Sequence, residues 1–349
     1  MIRQASSERL AASRNSFTKL LQQHFVLLTL LLTACCWPLA LFADTSGAAF
    51  LRIGDGARPL ALAGAYTAAS GSVDSIYYNP AGLSGLDGKE LSLTHSDWLQ
   101  GTSFDAVSYG QATPYGTLGV SALRLGGTQE GRDANRQFTG NFTTEDIAAT
   151  LSYAKSLGSS VGAGANLKFL RSAIASDSAA TYAFDFGATA SALGERLRFG
   201  AAALNIGSGL RFVDQVDRLP LTIAMGSSYR PVEPLSFSLD FKHQPYDSFS
   251  ELDAGAEYGI GPFAFRAGYA APVQGVDTRL SATDHFRGGL GIKISRYRAD
   301  YTLAPFGDLG LTQRFTLSVK FGEEAGKSKS LQPHATGTTE SQEISALFF

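Results

Sequence analysis

The run Arg314-Phe315-Thr316-Leu317-Ser318-Val319-Lys320-Phe321 decides the fold. Its apolar residues, Phe315, Leu317, Val319 and Phe321, alternate with Arg314, Thr316, Ser318 and Lys320. Successive side chains on a strand point to opposite faces, so this run has one apolar face and one polar, charged face. The same period recurs upstream. Leu235, Phe237, Leu239 and Phe241 alternate with Ser236, Ser238, Asp240 and Lys242. Leu252, Ala254, Ala256 and Tyr258 alternate with Glu251, Asp253, Gly255 and Glu257, and Leu290, Ile292 and Ile294 alternate with Gly291 and Lys293.

About fourteen such segments follow one another, at 89–98, 102–113, 115–127, 143–156, 158–172, 179–192, 195–206, 218–230, 234–243, 249–260, 262–271, 283–295, 297–304 and 311–321. Their connections alternate in length. Those near Pro114, Leu157, Gly194, Pro231, Gly261 and Ser295 are tight. The links 128–142, 173–178, 207–217, 244–248, 272–282 and 305–310 are longer and more polar. Long and short connections therefore fall on opposite ends of one sheet, apart from the short first hairpin near Gln100-Gly101. An even number of antiparallel strands with short turns at one end and longer loops at the other is the signature of an outer-membrane barrel. A soluble sandwich fits each strand singly but fits the unbroken succession of hairpins less well. The expected fold is all-β: a transmembrane antiparallel barrel of about fourteen strands with an N-terminal hatch.

In a barrel the apolar face meets lipid and the polar face lines the lumen. Asp185, Asp240, Lys242, Glu251, Asp253, Glu257, Arg266, Arg287, Lys293, Arg298, Asp300, Arg314 and Lys320 are then lumen-facing charges. Their mixed signs point to cross-strand ion pairs bracing the wall, with a charged permeation path as the alternative. Eight strands fill their own interior and sixteen leave a channel, so about fourteen leave a lumen that is water-filled or plugged.

Composition agrees with this class. The chain has 349 residues, a formal net charge of -2, 44% hydrophobic and only 17% charged residues. That balance gives no electrostatic footprint for nucleic acid. Residues 1–43 read as a signal peptide. Arg3, Arg9, Arg14 and Lys19 lead an apolar run from Phe25, and Leu41-Phe42-Ala43 offers a cleavage site before Asp44. Lipidation at Cys35, within Leu32-Thr33-Ala34-Cys35, is the alternative. Beyond the leader there is no cysteine and no apolar run of about 18 residues, so any membrane crossing uses strands.

Residues 44–87 are Gly/Ala-rich and lack clean periodicity, with a short helix expected near Pro59. They contain Ser75-Ile76-Tyr77-Tyr78-Asn79-Pro80-Ala81-Gly82-Leu83, which reads as a rigid apolar turn: Asn caps, Pro fixes φ and Gly permits positive φ. This stretch has the length and position to enter the lumen. Gly162, Gly164, Gly187, Gly200, Gly289 and Gly291 in the wall would make room for it. Residues 88–321 form the barrel, and 322–349 read as a flexible periplasmic tail ending in Ala346-Leu347-Phe348-Phe349.

An ordered series of motifs runs from Phe50-Leu51-Arg52-Ile53-Gly54-Asp55-Gly56-Ala57-Arg58 through Asn79-Pro80-Ala81-Gly82-Leu83 and Leu204-Asn205-Ile206-Gly207. It continues with Gly255-Ala256-Glu257-Tyr258 and Arg266-Ala267-Gly268-Tyr269, and closes with 300–310, Asp-Tyr-Thr-Leu-Ala-Pro-Phe-Gly-Asp-Leu-Gly, before Arg314-Phe315. In this series the chain resembles the PorV/PorQ family of outer-membrane proteins, itself similar to the FadL fatty-acid transporters. The resemblance implies a hatch role for Tyr77, Tyr78, Asn79, Pro80, Ala81, Gly82 and Leu83. The chain departs from the FadL pattern in its loops, the longest of which, 128–136, is polar and charged.

No catalytic chemistry emerges. Gly158-Ser159-Ser160-Val161-Gly162 has nucleophile-elbow spacing but precedes a strand, whereas that motif needs a helix. His95, His243, His285 and His334 lack metal-ligand spacing, and no cofactor is expected. The reading is a non-enzymatic barrel in contact with outer-membrane lipid. Its function is a secretion-associated or surface-export role with secreted or cell-surface protein partners; the alternative is a FadL-like channel for a hydrophobic small molecule.

Overall fold

The structure, a computed structural model, describes residues 46–212, 214–275, 282–306 and 310–322. The leader with its two processing alternatives, and the tail beyond Gly322, lie outside the described residues. Fourteen antiparallel strands close a barrel. In chain order these are β1 (Lys89–Asp97), β2 (Thr102–Thr113), β3 (Gly116–Arg132), β4 (Phe138–Leu157), β5 (Val161–Ile174), β6 (Asp177–Ala192) and β7 (Leu197–Gly207). After a separate hairpin of β8 (Leu210–Phe212) and β9 (Gln215–Asp217), the barrel resumes with β10 (Thr222–Val232), β11 (Leu235–Gln244), β12 (Phe249–Ile260) and β13 (Phe263–Gln274). It ends with β14 (Phe286–Ile294), β15 (Tyr297–Pro305) and β16 (Leu311–Phe321). Each barrel strand pairs with its neighbours in sequence, and β1 closes the circle on β16 from Lys89↔Phe321 to Asp97↔Gln313. Closure leaves no sheet edge, the condition for a β-protein to cross hydrocarbon.

The alternation in the sequence sets which way each side chain points. On β1, Leu91 and Leu93 face outward while Glu90, Ser92, Thr94 and Ser96 are buried inside. On β4 the outward positions run from Glu145 through Ile147, Ala149, Leu151 and Tyr153 to Lys155. Ten residues at about 3.3 Å rise, tilted by about 40°, place these two charges about 25 Å apart along the barrel axis, the height of an outer-membrane apolar band. Outside the upper limit, Glu145 pairs with Arg124 at 2.8 Å and Arg124 lies 3.8 Å from Asp105.

Several boundaries differ from the sequence expectation. The link read at 128–142 is mostly strand: β3 and β4 stay paired to Arg132↔Phe138, beyond the last β2 and β5 partners at Gly127 and Thr144. Gly and Thr in that stretch weakened the periodic signal without preventing pairing. The link 207–217 holds the β8–β9 hairpin, and β10 starts at Thr222 rather than 218 because Leu219-Pro220-Leu221 supplies a proline. β14 begins at Phe286, not 283, after a 3-10 turn. Among the described residues no helix is long and apolar enough to cross a membrane.

The chain is expected to fractionate with outer membranes and to show heat-modifiable gel mobility. Leu151→Arg, at the centre of the lipid face, should cost about 2–4 kcal/mol, read as a lower urea midpoint for folding into vesicles.

Candidate functional site: the N-terminal segment and the lumen wall

Residues 46–88 lie against the polar face of the wall. Ser46 contacts Asp247 in the β11–β12 loop, and Gly47 donates to the Arg218 carbonyl, so this end sits near the longer loops. Further along, the Lys320 amine donates to the Gly71 carbonyl at 2.9 Å, near the tight-turn end. The helix expected near Pro59 spans Ala57–Ala61.

The stretch 75–83 is not the single turn expected from its composition. Ser75–Tyr78 makes one helical turn, Asn79 is extended, and Pro80–Gly85 is a 3-10 helix. Asn79 makes the break because Pro80 disfavours the helical region for the residue before it. Asn79 is fully buried. Its Nδ2 donates to the Thr67 carbonyl at 2.7 Å and to the Ala188 carbonyl of β6 at 3.1 Å, while its Oδ1 accepts from the Ala81 N–H. One side chain thus joins two parts of the segment to the wall. Pro80 and Ala81 lie at the glycines of β5 and β6. A Cβ on Gly187 would fall on Asn79 Oδ1, and one on Gly164 would fall on the Pro80–Ala81 peptide. Gly200 and Gly268 likewise admit the backbone at Thr67 and at Leu62–Ala63. Leu83 packs with Val73, Ile76, Leu86 and Ala154. Tyr78 donates to the Asp55 carbonyl and sits against Tyr66 and Tyr77, at centroid distances of 5.5 and 4.8 Å. Tyr77 donates to the Leu51 carbonyl and accepts from Gly54 N–H.

The lumen-facing charges serve this segment as much as they serve the wall. Asp240 accepts from the Tyr66 and Thr67 N–H groups at 2.8 and 2.7 Å. Glu257 holds Arg58 of the helix through two hydrogen bonds, at 2.8 and 2.9 Å, and also Arg266 of β13. Arg266 reaches Asp300 at 2.7 Å, and Asp300 pairs with Arg298 at 2.8 Å. Arg298 in turn approaches Asp74 and Glu90 at 3.3 and 3.5 Å. Arg314 donates to the Gly54 carbonyl at 2.6 Å, with its guanidinium carbon 4.3 Å from the Phe104 ring centroid. That cation–π contact takes the place of solvent for a side chain only 1% exposed. Lys242 pairs with Asp253 across β11 and β12. Arg287 donates to the Asp284 and Pro305 carbonyls, and Lys293 lies exposed at the tight-turn end. Cross-strand pairs of the expected kind are present, as between Lys242 and Asp253 and between Glu257 and Arg266, while Arg58, Asp74 and the backbone of the segment take several further bonds. Arg58, Asp74 and Glu90 escaped the sequence reading. Glu90 was visible as the first inward residue of the Glu-Ser-Thr-Ser alternation on β1, whereas Arg58 and Asp74 lie where there is no period.

Above the helix, toward the longer loops, is a cavity of about 340 Å3. Leu51, Ile53, Leu60, Trp98, Leu204 and Phe306 give it apolar walls, with Tyr77 and Tyr78 beside them. Lys168, Lys242 and Arg287 also reach it. Lys168 and Lys242 are matched by Asp185 and Asp253 at 2.8 and 2.5 Å, whereas Arg287 has no carboxylate ion pair among the described residues.

Burial and the neighbouring Asp74 push the Asp55 carboxyl up to about 6, against the opposing pull of Arg314 and the Gly56 N–H. A raised carboxyl stabilises the fold fully below its ordinary pKa near 4, and the contribution is lost as pH rises through about 6. Asp55→Asn should therefore reduce the pH dependence of the urea midpoint over that window and raise stability above pH 6 by up to about 3 kcal/mol. Gly187→Leu should displace Asn79, seen as new protease cleavage within 75–86 of a barrel that keeps its heat-modifiable mobility.

No family model and no curated protein matches the chain. Solved structures do. The Ralstonia pickettii toluene transporter TbuX matches at TM-score 0.57 and 15% identity, over 77% of this chain and 99% of its own. The Pseudomonas putida toluene transporter TodX matches at 0.58 and 12%, over 78% and 99%. A Pseudomonas aeruginosa FadL homologue matches at 0.56 and 12%, over 80% and 100%. At these identities the likeness is one of fold, and the fold of this chain is a closed antiparallel barrel of fourteen strands, similar to that of these solved structures.

Proposed function

We propose that the protein is a non-enzymatic outer-membrane conduit for hydrophobic small molecules, with residues 44–87 acting as its hatch. The observation that carries this reading is the apolar cavity between the longer loops and the hatch. Its volume, about 340 Å3, is within the usual range for small-ligand sites, and apolar walls with a few convergent polar groups are what such sites present. The names of TbuX and TodX as toluene transporters support the choice of ligand class. In this reading Tyr77 and Tyr78 line the cavity floor, and Asn79, Pro80, Ala81, Gly82 and Leu83 anchor the hatch to β5 and β6. The lumen-facing charges hold the hatch in register and do not form an ion path, because nearly all are bonded.

A PorV/PorQ-type secretion role is the second reading. The β3–β4 hairpin favours it, rising beyond its neighbours with Thr128, Gln129, Glu130 and Arg132 on β3, a polar surface suited to protein contacts.

Leu60→Trp fills the cavity from the hatch side. It should lower toluene binding to the purified barrel about tenfold or more, and lower uptake by cells in parallel. Unchanged binding in this variant would remove the conduit reading. Loss of surface-protein display on deleting 128–142, with toluene binding intact, would favour the secretion reading instead.

A further inference from the structure

At the loop ends of β4 and β5 lies a second cavity, of about 450 Å3, that the conduit reading leaves unassigned. Phe50, Ile53, Trp98, Leu125, Leu210 and Phe212 give it apolar walls. Ala49, Ile53 and Trp98 line this loop-side cavity and the hatch-side cavity alike, so these three residues form the partition between the two. Trp98 is braced there edge-on to Phe306 of the hatch-side cavity, at a centroid distance of 5.0 Å.

The two cavities differ in charge. Lys168, Lys242 and Arg287 reach the hatch-side one, together with Glu251. The only charged residues among the described lining of the loop-side one are Asp146 and Asp217. Asp146 points inward from β4 in one row with its cross-strand partners Leu125 of β3 and Ser172 of β5. Asp217 stands on β9 directly opposite Leu210 and accepts from Gln215 Nε2 at 3.3 Å. Cations on the neighbouring elements are turned away or engaged. Arg124 and Arg171 lie on the outer face of the wall, where both reach Glu145, at 2.8 and 3.9 Å. Arg211 is exposed on the opposite face of the β8–β9 hairpin from Leu210, Phe212 and Asp217. Arg52 pairs with Asp247 at 3.5 Å, and the Arg218 guanidinium lies 5.2 Å from the Tyr246 ring centroid. Neither Asp146 nor Asp217 makes an ion pair among the described residues.

A carboxylate set in an apolar wall has lost part of its hydration, and a ligand cation restores what water no longer supplies. Aromatic faces beside it favour the same charge. A neutral hydrocarbon leaves the carboxylate unpaired, and an anionic one meets repulsion from both aspartates. We propose that the loop-side cavity is a binding site for protonated aromatic amines, with the ammonium on Asp146 and the ring against Trp98 and Phe212. Asp217 adds a second negative charge from the hairpin side. This site rests on the conduit reading only for its place on the path, where molecules entering from the loops meet it before the partition at Trp98.

The test is calorimetric titration of the full-length barrel in detergent at neutral pH with phenethylammonium and with hydrocinnamate, its carboxylate counterpart. The ammonium should bind about tenfold or more tightly than the carboxylate. Asp146→Asn should lower the ammonium affinity about tenfold and leave toluene binding unchanged, with heat-modifiable mobility reporting that the barrel has formed. Leu60→Trp, which fills the hatch-side cavity, should leave the ammonium affinity in place. A carboxylate that binds as tightly as the ammonium overturns the proposal without any variant. So does an ammonium affinity that Asp146→Asn leaves unmoved, or one that Leu60→Trp abolishes. Failure of toluene to bind would instead strike the conduit reading, and the preference of the site for ammonium over carboxylate would still decide this one.

Discussion

An irregular backbone inside a membrane-level lumen has to find a hydrogen-bond partner for each buried polar group, and the rest of this structure depends on that constraint. Residues 54–76 have no long helix and no strand to satisfy them internally. The wall supplies the partners instead. Thr316 accepts from the Ala57 N–H and Thr302 donates to its carbonyl. Arg314 takes the Gly54 carbonyl, Asp240 the Tyr66 and Thr67 N–H groups, Glu90 the Val73 N–H, and Asn166 the Ile76 carbonyl. The polar lumen is therefore a template for one particular backbone trace.

Hydrogen bonds at these lengths require close approach, and glycine in the wall permits it. At Gly164 and Gly187 the backbone of the N-terminal segment and Asn79 occupy the space that any larger residue would fill with its Cβ. Removing those side chains from a strand weakens its intrinsic stability. Here the loss is offset by Asn79, whose amide bonds at once to the segment and to β6. A buried Asn with partners on both sides fixes position as well as energy, because displacement leaves several groups unpaired together.

The charges divide the lumen into levels. A chain of ion pairs from Arg58 through Glu257, Arg266 and Asp300 to Arg298 crosses between the helix Ala57–Ala61 and strands β12, β13 and β15. Toward the longer loops the lining sets Leu51, Ile53, Leu60, Trp98, Leu204 and Phe306 beside Lys168, Lys242, Glu251 and Arg287, and toward the tight turns charged side chains, most of them cations, dominate. Breaking one member of such a buried chain leaves neighbours uncompensated, so the level is held as a unit. The asymmetry gives the two mouths of one barrel different chemistry.

The sequence by itself determined the strand period, the alternation of long and short connections, and the inward or outward direction of residues such as Leu151, Asp240 and Arg314. These follow from local geometry, since a strand side chain has only two faces to choose between. Strand ends near 128–142 and 207–221 were poorly legible because glycine, threonine and proline there blur the period that pairing partners restore. The fit of the N-terminal segment to the wall was not legible at all. Arg58 and Asp74 lie in a stretch without periodicity, and Ala57 meets Thr316 across 259 residues of chain. Only closure of the barrel decides which polar side chain faces which backbone group, because closure alone brings opposite walls and the N-terminal segment within hydrogen-bond distance.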